Sequence, residues 1–316
     1  MTANSHNPEI AIIIPCFNEA VTIGKVVSDF KKAIPKAAIY VFDNASSDET
    51  AIRARDAGAE VRRVEAKGKG NVIRRMFADV DADIYVMVDG DDTYDADSAP
   101  GLVDELKNRH LDMVVAHRRS SESAAYRTGH RFGNRLLTSC VQLIFGKNLD
   151  DMLSGYRVLS RRFVKSFPAH SSGFETETEL TIHALELRMP VAEIDTPYRS
   201  RPAGSESKLN TYRDGFRILL TITKLLKTEK PLLFFSVGFF ICFAASLALA
   251  MPLLGTYLET GLVPRIPTAI LSASLMTLGV LLLVCGVILD TVTYGRIEAK
   301  HLAYLAIPTQ SGTNIK

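Results

Sequence analysis

Val86-Met-Val-Asp-Gly-Asp-Asp-Thr-Tyr-Asp95 changes abruptly from apolar to acidic residues. Residues 84–88 form a short apolar run rich in β-branched side chains, which predicts a buried strand. Ionised carboxylates are costly inside a core, so the chain must emerge into a polar site at Asp89. Gly90 lets the backbone turn tightly between Asp89 and Asp91 and approach a ligand. Two such carboxylates favour Mg²⁺ or Mn²⁺, and the alternative is an ordinary acidic surface turn.

Further apolar runs alternate with helical patterns on the N-terminal side of this strand. The predicted elements are strands at 10–14, 39–43 and 60–64 and helices at 22–33, 46–57 and 70–79. This alternation implies an α/β domain with a mostly parallel sheet covered on both faces, in which ligands bind at the carboxyl ends of the strands. Polar clusters follow three of the strands, at 15–19, 43–44 and 89–91. We therefore expect a single site along that edge of the sheet.

Two long runs without a charged residue lie at 232–254 and 266–289. Each exceeds the roughly 18–20 apolar residues needed to cross a bilayer, which predicts a transmembrane hairpin rather than two helices buried in a soluble core. The flanking basic residues are Lys224, Lys227, Lys230, Arg296 and Lys300. The connecting loop holds one basic residue. The positive-inside rule then predicts a protein of the cell (inner) membrane with the N-terminal domain and both termini in the cytoplasm.

The segment at 212–230 carries apolar residues on one side and basic residues on the other. This pattern predicts an interfacial helix suited to anionic headgroups, and the alternative is a simple linker. The predicted organisation is an α/β domain at 1–210, an amphipathic interfacial helix at 211–230, two transmembrane helices at 231–292 and a cytoplasmic tail at 293–316. The formal net charge of +2 gives no indication of nucleic acid binding.

Six motifs occur in order along the first 210 residues. They are Ile14-Pro-Cys-Phe-Asn-Glu19, Phe42-Asp-Asn-Ala-Ser-Ser-Asp-Glu-Thr50, Lys67-Gly-Lys-Gly70, Asp89-Gly-Asp91, Ser154-Gly-Tyr-Arg157 and Gly204-Ser-Glu-Ser-Lys208. Together they resemble family 2 glycosyltransferases of the GT-A fold, a Rossmann-like fold. Within that family the chain is similar to the polyprenyl-phosphate glycosyltransferases, which include dolichol-phosphate mannose synthase and bacterial enzymes that glucosylate undecaprenyl phosphate. Asn44 departs from the family pattern, in which a second acid is usual at this position.

The resemblance implies a metal-dependent enzyme that takes a hexose from a nucleotide-sugar donor. Asp89-Gly-Asp91 occupies the DXD position of the family, where Asp91 is the first choice for the ligand of Mg²⁺ or Mn²⁺, and Asp89 shares the ion or binds the ribose. A divalent ion stabilises the negative charge that develops on a departing diphosphate. The donor-binding residues implied are Pro15, Phe17, Glu19, Asp43, Asp89, Gly90, Asp91, Arg201 and Lys208. For Asp43 the alternative role is a helix cap.

Basic residues recur from 117 to 135, and no acidic residue occurs from 127 to 147. An uncompensated arginine face favours an anion, because guanidinium groups bind phosphate in a bidentate manner; the alternative is a solvated basic face. The resemblance assigns Arg118 and Arg127, with Arg131 as a third residue, to the phosphate of a polyprenyl phosphate acceptor.

A phosphate acceptor is already anionic near pH 7, so we predict direct in-line displacement with inversion and without a strong base. Asp151 either positions the sugar hydroxyls or is a turn residue. The predicted catalytic residues are therefore Asp89, Asp91, Arg118 and Asp151.

The nucleotide-sugar donor, the acceptor and the type of activity each have alternatives. A UDP-sugar is favoured over GDP-mannose, because a short chain with a two-span hairpin resembles the bacterial glucosyl enzymes. The alternatives are a transferase that acts on a hydroxyl of another membrane lipid and a non-enzymatic, membrane-anchored subunit that binds nucleotide-sugars. A processive polysaccharide synthase is disfavoured, because the chain has no Trp for the Gln-x-x-Arg-Trp motif of those enzymes. Membrane lipids are expected partners, as is a second copy of the chain through the transmembrane helices.

Overall fold

A computed structural model describes residues 9–119, 142, 151–169, 176–199, 220 and 223–308 of the chain. The described residues fall into two compact units. The sheet unit lies within Met1–Gly215 and Ala299–Lys316, and the hairpin unit lies within Phe216–Glu298.

The described part of the sheet unit is built on seven strands in the order β3-β2-β1-β4-β6-β5-β7. They are β1 (Ile10–Cys16), β2 (Ala38–Asp43), β3 (Glu60–Arg63), β4 (Ile84–Met87), β5 (Met113–Arg119), β6 (Arg157–Ser160) and β7 (Val191–Pro197). Strand β6 runs antiparallel to β4 and β5, and the other pairs are parallel. The mostly parallel α/β sheet predicted from the sequence is confirmed.

Both units of the described chain contain helices. They are α1 (Ile23–Ala33), α2 (Thr50–Asp56), α3 (Lys69–Asp79), α4 (Ala99–Asn108), α5 (Arg161–Ser166), α6 (Thr176–Glu186), α7 (Pro231–Thr260) and α8 (Ile266–Leu305). Helix α1 shows why they form: its buried residues Ile23, Val26, Val27 and Phe30 recur at helical spacing on the face toward the sheet. Helix α2 begins at Thr50, later than the predicted residue 46, and the backbone N–H groups of Ser46 and Ser47 donate to the side chains of Asp43 and Asn18.

The register of the central strands explains where a site can form. Cys16 at the end of β1 pairs with Asp43 at the end of β2, and Ile13 pairs with Met87 in β4. These strands are apolar and buried, as is usual when helices cover both faces of a parallel sheet. The carboxyl ends of β1, β2 and β4 are therefore neighbours at one edge of the sheet.

The hairpin unit consists mainly of α7 and α8, which are both long and apolar enough to cross a membrane. The two helices contact each other through small residues: Ser246 Oγ donates to Ser272 O at 2.8 Å, and Ser272 Oγ donates to Ser246 O at 2.9 Å. A side chain on Gly279 or Gly286 would press on α7. Most other apolar side chains on both helices are exposed. The predicted pair of long apolar helices is confirmed.

Helix α8 extends to Leu305, into the segment from 293 that the sequence predicted as a tail. Its last turns belong to the sheet unit, where Lys300 Nζ lies 2.6 Å from Glu186 Oε2 and the Tyr304 hydroxyl donates to Asp112 Oδ2 at 2.8 Å. Most of the predicted interfacial helix lies outside the described residues, apart from residue 220 and residues 223–230. The four-part division of the chain remains a prediction.

Candidate functional site

The end of β2 carries Asp43 and Asn44, both buried. Both carboxylate oxygens of Asp43 accept from the Ser46 backbone N–H at 3.3 Å. Asn44 Nδ2 donates to the carbonyls of Val64 and Ala66 at 3.1 and 2.8 Å, and its Oδ1 accepts from the Gly68 N–H at 2.8 Å. Asn44 thus fixes the loop that leads into α3. An acid could not donate to those two carbonyls, which explains the departure from the family motif in physical terms.

The loop after β1 brings three residues predicted to bind the nucleotide-sugar to the same edge of the sheet. Pro15 is still part of β1, and the Phe17 side chain is partly exposed just beyond the end of that strand. The Glu19 N–H donates to Thr50 Oγ1 at 2.8 Å, and its carbonyl accepts from the first N–H groups of α1. These backbone bonds tie the β1 loop to the start of α2, so the loops after β1 and β2 form one surface.

The acidic turn after β4 is held tightly by its surroundings. Asp91 Oδ1 accepts from Thr93 Oγ1 at 2.6 Å, and the Asp91 side chain is buried. A Cβ added to Gly90 would lie 2.5 Å from Cys16 Sγ, and a Cβ added to Gly155 would collide with the Asp89 carboxylate. Both glycines are therefore needed for close packing around this turn.

Lys69 links the turn to a helix that the sequence did not associate with it. Its ammonium group lies 2.6 Å from Asp89 Oδ1 and 2.5 Å from Glu177 Oε1. The Lys69 side chain is 13% exposed and that of Glu177 is 6% exposed. Burial alone would lower the pKa of Lys69, but the charges of Asp89 and Glu177 outweigh it and raise that pKa well above its usual value. Lys69 is therefore a permanent cation in the site.

Arg118 and Asp151, two predicted catalytic residues, form a bidentate ion pair. Arg118 Nε lies 2.7 Å from Asp151 Oδ2, and Nη2 lies 2.7 Å from Oδ1. Burial alone would raise the pKa of Asp151, but the hydrogen bonds and charge of Arg118 outweigh it and lower that pKa below its usual range. Asp151 is therefore an ionised acceptor that holds Arg118, and it is a poor proton acceptor at neutral pH.

The residue types at the acidic turn fit a hard divalent ion. Asp89 and Asp91 supply carboxylate oxygens, the ligands that Mg²⁺ and Mn²⁺ prefer. Among the described residues, no three His, Cys, Asp or Glu side chains gather into a metal site. Substrate phosphates and water are common further ligands of Mg²⁺, and they could complete an ion site at this turn.

Four predicted site residues lie outside the described part of the chain, namely Arg127, Arg131, Arg201 and Lys208. The structure brings Pro15, Phe17, Glu19, Asp43, Asp89, Gly90 and Asp91 to one sheet edge. Sequence reasoning missed Lys69 and Glu177. Lys69 is part of the quoted Lys67-Gly-Lys-Gly70 motif, which was a usable signal, whereas Glu177 is one of three alternating acids at 175, 177 and 179.

Known proteins are similar to this chain in sequence. Residues 11–167 match the family described as Glycosyl transferase family 2. Glycosyltransferase AglJ of Haloferax volcanii is 32% identical over 284 residues, which are 90% of this chain and 93% of the relative. The dolichyl-phosphate hexose transferase of the same organism is 27% identical over 223 residues, covering 70% of this chain and 96% of the relative.

A solved structure extends the comparison to ligands. Glucosyl-3-phosphoglycerate synthase of Mycobacterium tuberculosis, crystallised with Mn²⁺, UDP-glucose and phosphoglyceric acid, superposes with a TM-score of 0.56 and 25% sequence identity. The match covers 70% of this chain and 79% of that one. Sequence motifs, relatives and fold agree: the chain belongs to glycosyltransferase family 2 and has the GT-A fold.

Proposed function

We propose that the protein is a membrane-anchored, inverting glycosyltransferase that moves a hexose from a nucleotide-sugar to a polyprenyl phosphate. One observation carries this proposal: the Asp89-Gly-Asp91 turn lies at the sheet edge where the donor is predicted to bind, and the same chain has two helices long enough to cross a membrane. The relative named dolichyl-phosphate hexose transferase supports the acceptor class. A UDP-sugar is favoured over GDP-mannose, and the product would serve cell-envelope or protein glycosylation.

The donor would bind along the loops after β1, β2 and β4. Phe17 offers a partly exposed ring against which a base can stack. Pro15, Glu19 and Asp43 complete the nucleoside side of the site. Asp89, Gly90 and Asp91 face the diphosphate side, which Arg201 and Lys208 would close.

Asp89 and Asp91 would hold Mg²⁺ or Mn²⁺ against the donor diphosphate. The bound ion supplies a Lewis acid that stabilises charge on the leaving nucleoside diphosphate. The Lys69 ammonium adds a permanent positive charge to the same side of the site. Asp151 holds the Arg118 guanidinium, which would orient the acceptor phosphate together with Arg127 and Arg131.

The transfer needs no proton removal. An oxygen of the acceptor phosphate forms a bond to the anomeric carbon while the bond from that carbon to the donor phosphate breaks, with inversion at the carbon. The acceptor phosphate is an anion near pH 7, since its second pKa is about 6. A carboxylate base would add little, which agrees with Asp151 being paired to Arg118.

The basic residues that flank the spans support a topology with the sheet unit and both termini on the cytoplasmic side of the membrane. Lys224, Lys227 and Lys230 precede the first span, and Arg296 and Lys300 follow the second. Such clusters attract anionic lipid headgroups. The donor and the phosphate end of the lipid would then be supplied from the same compartment.

A donor panel tests the proposal directly. Purified full-length protein in detergent should transfer hexose from one nucleotide-sugar to undecaprenyl phosphate with Mg²⁺ or Mn²⁺, and not to diacylglycerol. Asp91→Asn should abolish transfer, whereas Asp97→Asn, an exposed acid six residues later, should leave it unchanged. Transfer to diacylglycerol alone would identify a lipid-hydroxyl transferase. Binding of nucleotide-sugar without turnover of any donor would identify a non-enzymatic subunit.

A further inference from the structure

We propose that Lys69, held by Glu177, competes with the divalent ion for Asp89, so that the donor-free protein binds the ion weakly and the donor diphosphate completes the ion site. The inference deepens the proposed function, because it concerns the same donor site. It assigns a role to Glu177, which the proposed function leaves unused, and a second role to Lys69.

Both carboxylate oxygens of Asp89 have a close neighbour, although the side chain is 27% exposed. Its Oδ1 accepts from the Lys69 ammonium at 2.6 Å, and its Oδ2 packs so closely against Gly155 that a methyl group there would collide with it. An ammonium and a divalent ion seek the same carboxylate lone pairs. An ion can therefore use Asp89 fully only when Lys69 gives up its bond to that carboxylate.

Glu177 explains how Lys69 can leave Asp89 at small cost. The Lys69 ammonium also lies 2.5 Å from Glu177 Oε1, and this carboxylate is almost completely buried. A buried lysine that lost all of its partners would be an uncompensated charge, which is strongly unfavourable. With Glu177 beside it, the ammonium keeps one carboxylate while it releases the other.

The backbone around Lys69 is fixed, so the exchange concerns its side chain. Lys69 is the first residue of α3, and Asn44 holds the preceding Gly68 through its N–H. A lysine side chain is a flexible stem with a compact charge. Lys69 can turn from Asp89 toward an arriving diphosphate without movement of the loop.

The donor is needed because the described protein ligands are few. Among the described residues, no group of three His, Cys, Asp or Glu side chains is arranged to hold a metal ion. With Asp89 occupied by Lys69, the turn offers mainly Asp91. The donor diphosphate supplies both the missing oxygen ligands and a new partner for the Lys69 ammonium.

A charge-conserving double variant separates competition from general electrostatics. Lys69, Asp89 and Glu177 together carry one net negative charge. Lys69→Met alone would leave two net negative charges, which attract any cation. Lys69→Met combined with Glu177→Gln leaves one net negative charge, as in the native protein, and removes the competitor for Asp89 together with the carboxylate that holds it.

The test is Mn²⁺ binding to full-length protein in detergent without nucleotide, followed by the electron paramagnetic resonance signal of free Mn²⁺. If Asp89 is free of Lys69 in about a tenth of the molecules, the double variant should bind Mn²⁺ about tenfold more tightly. Lys67→Met, an exposed lysine of the same loop, should bind as the native protein does. With UDP present, the difference between native protein and double variant should shrink. Equal Mn²⁺ affinity of the double variant and the native protein without UDP would overturn the proposal.

Glu177→Gln alone guards against a double variant that does not fold. It retains Lys69, which then has Asp89 as its one charged partner among the described residues, so Mn²⁺ binding should weaken. Unchanged or tighter Mn²⁺ binding by this variant would also overturn the proposal. Because the readout is Mn²⁺ binding, it stays informative if the protein transfers no hexose, so the failure of the two proposals can be told apart.

Discussion

Replacing Asn44 by Asp tests the physical reason for the departure from the family motif. The two side chains have nearly the same shape, and the change restores the acid that is usual at this position. Asn44 is buried and makes three hydrogen bonds to the loop from Val64 to Gly68. Aspartate can keep only the bond from the Gly68 N–H, because an ionised carboxylate has no donor.

The cost can be worked from these bonds. The carbonyls of Val64 and Ala66 lose their donor and face a carboxylate oxygen instead. A buried polar group left without its partner costs about 1–3 kcal/mol. Two such carbonyls, partly offset by a stronger hydrogen bond from the Gly68 N–H to the charged carboxylate, should together cost about 2–4 kcal/mol. A domain of this size loses about 2–4 °C per kcal/mol, so the melting temperature should fall by about 4–16 °C.

Thermal unfolding of the purified protein, followed by circular dichroism in detergent, measures this loss. Asn71→Asp is the matched control: it makes the same change two residues into α3, where Asn71 Nδ2 donates only to the Lys67 carbonyl at 3.0 Å. An acid in the first turn of a helix is favourable, so the control should change by less than about 1 kcal/mol. If Asn44→Asp proves as stable as the native protein, the carbonyl bonds do not explain the Asn, and the reasoning is refuted.

Two further predictions concern Glu186 and His183, both in α6. Lys300→Met should lower the melting temperature strongly, because it removes the ammonium group 2.6 Å from the Glu186 carboxylate, whose side chain is 0% exposed, and breaking a buried ion pair costs about 3–5 kcal/mol. Lys107→Met, at an exposed pair with Glu9, should cost less than about 1 kcal/mol, and equal effects of the two variants would contradict the role of Lys300. Burial and the charge of Lys300 lower the pKa of His183 from its ordinary 6.5 to about 3. Between pH 6.5 and 3, His183 is therefore neutral in the folded protein, whereas the same residue takes up a proton in the unfolded chain. Stability should therefore fall as the pH decreases from 6.5 towards 3, and His183→Gln should flatten that slope in thermal unfolding series; an unchanged slope would exclude His183 as its source.

The predicted strands and the sheet edge follow from sequence patterns that are local. The run at 84–88 and its three predecessors alternate with helical patterns, and that alternation is sufficient to predict parallel strands with a common carboxyl edge. Polar residues directly after such strands must then meet. This is why Pro15, Asp43 and Asp91 could be placed together before the structure was known.

Strand β6 shows what local patterns miss. It is four residues long and begins with Arg157, a charged residue that polarity assigns to the surface. The Arg157 side chain is completely buried, and its guanidinium donates to the carbonyls of Met152, Ser154 and Glu177 and to Thr181 Oγ1. Only the folded chain can offer these acceptors, so the structural role of the Ser154-Gly-Tyr-Arg157 motif is visible only in three dimensions.

The ion pairs of the site are missed for the same reason. Lys69 and Glu177 are distant in sequence, and Arg118 and Asp151 are separated by a long segment. A single sequence supplies no signal for the pairing of residues so far apart. It suggested chemical roles for Arg118 and Asp151 individually, whereas the bidentate bond between them determines what each can do.

These pairings bear on the choice of acceptor. Asp151 is ionised and bonded to Arg118, and Asp89 is bonded to Lys69, so two of the acids of the described site have a cation as their partner. An acid held in this way is a weak base, and a lipid hydroxyl requires a base to become a nucleophile. A phosphate monoester has no such requirement, and the cations that neutralise these acids are also suited to positioning an anion. The ion pairs of the described site thus support the proposed lipid phosphate acceptor over a lipid hydroxyl.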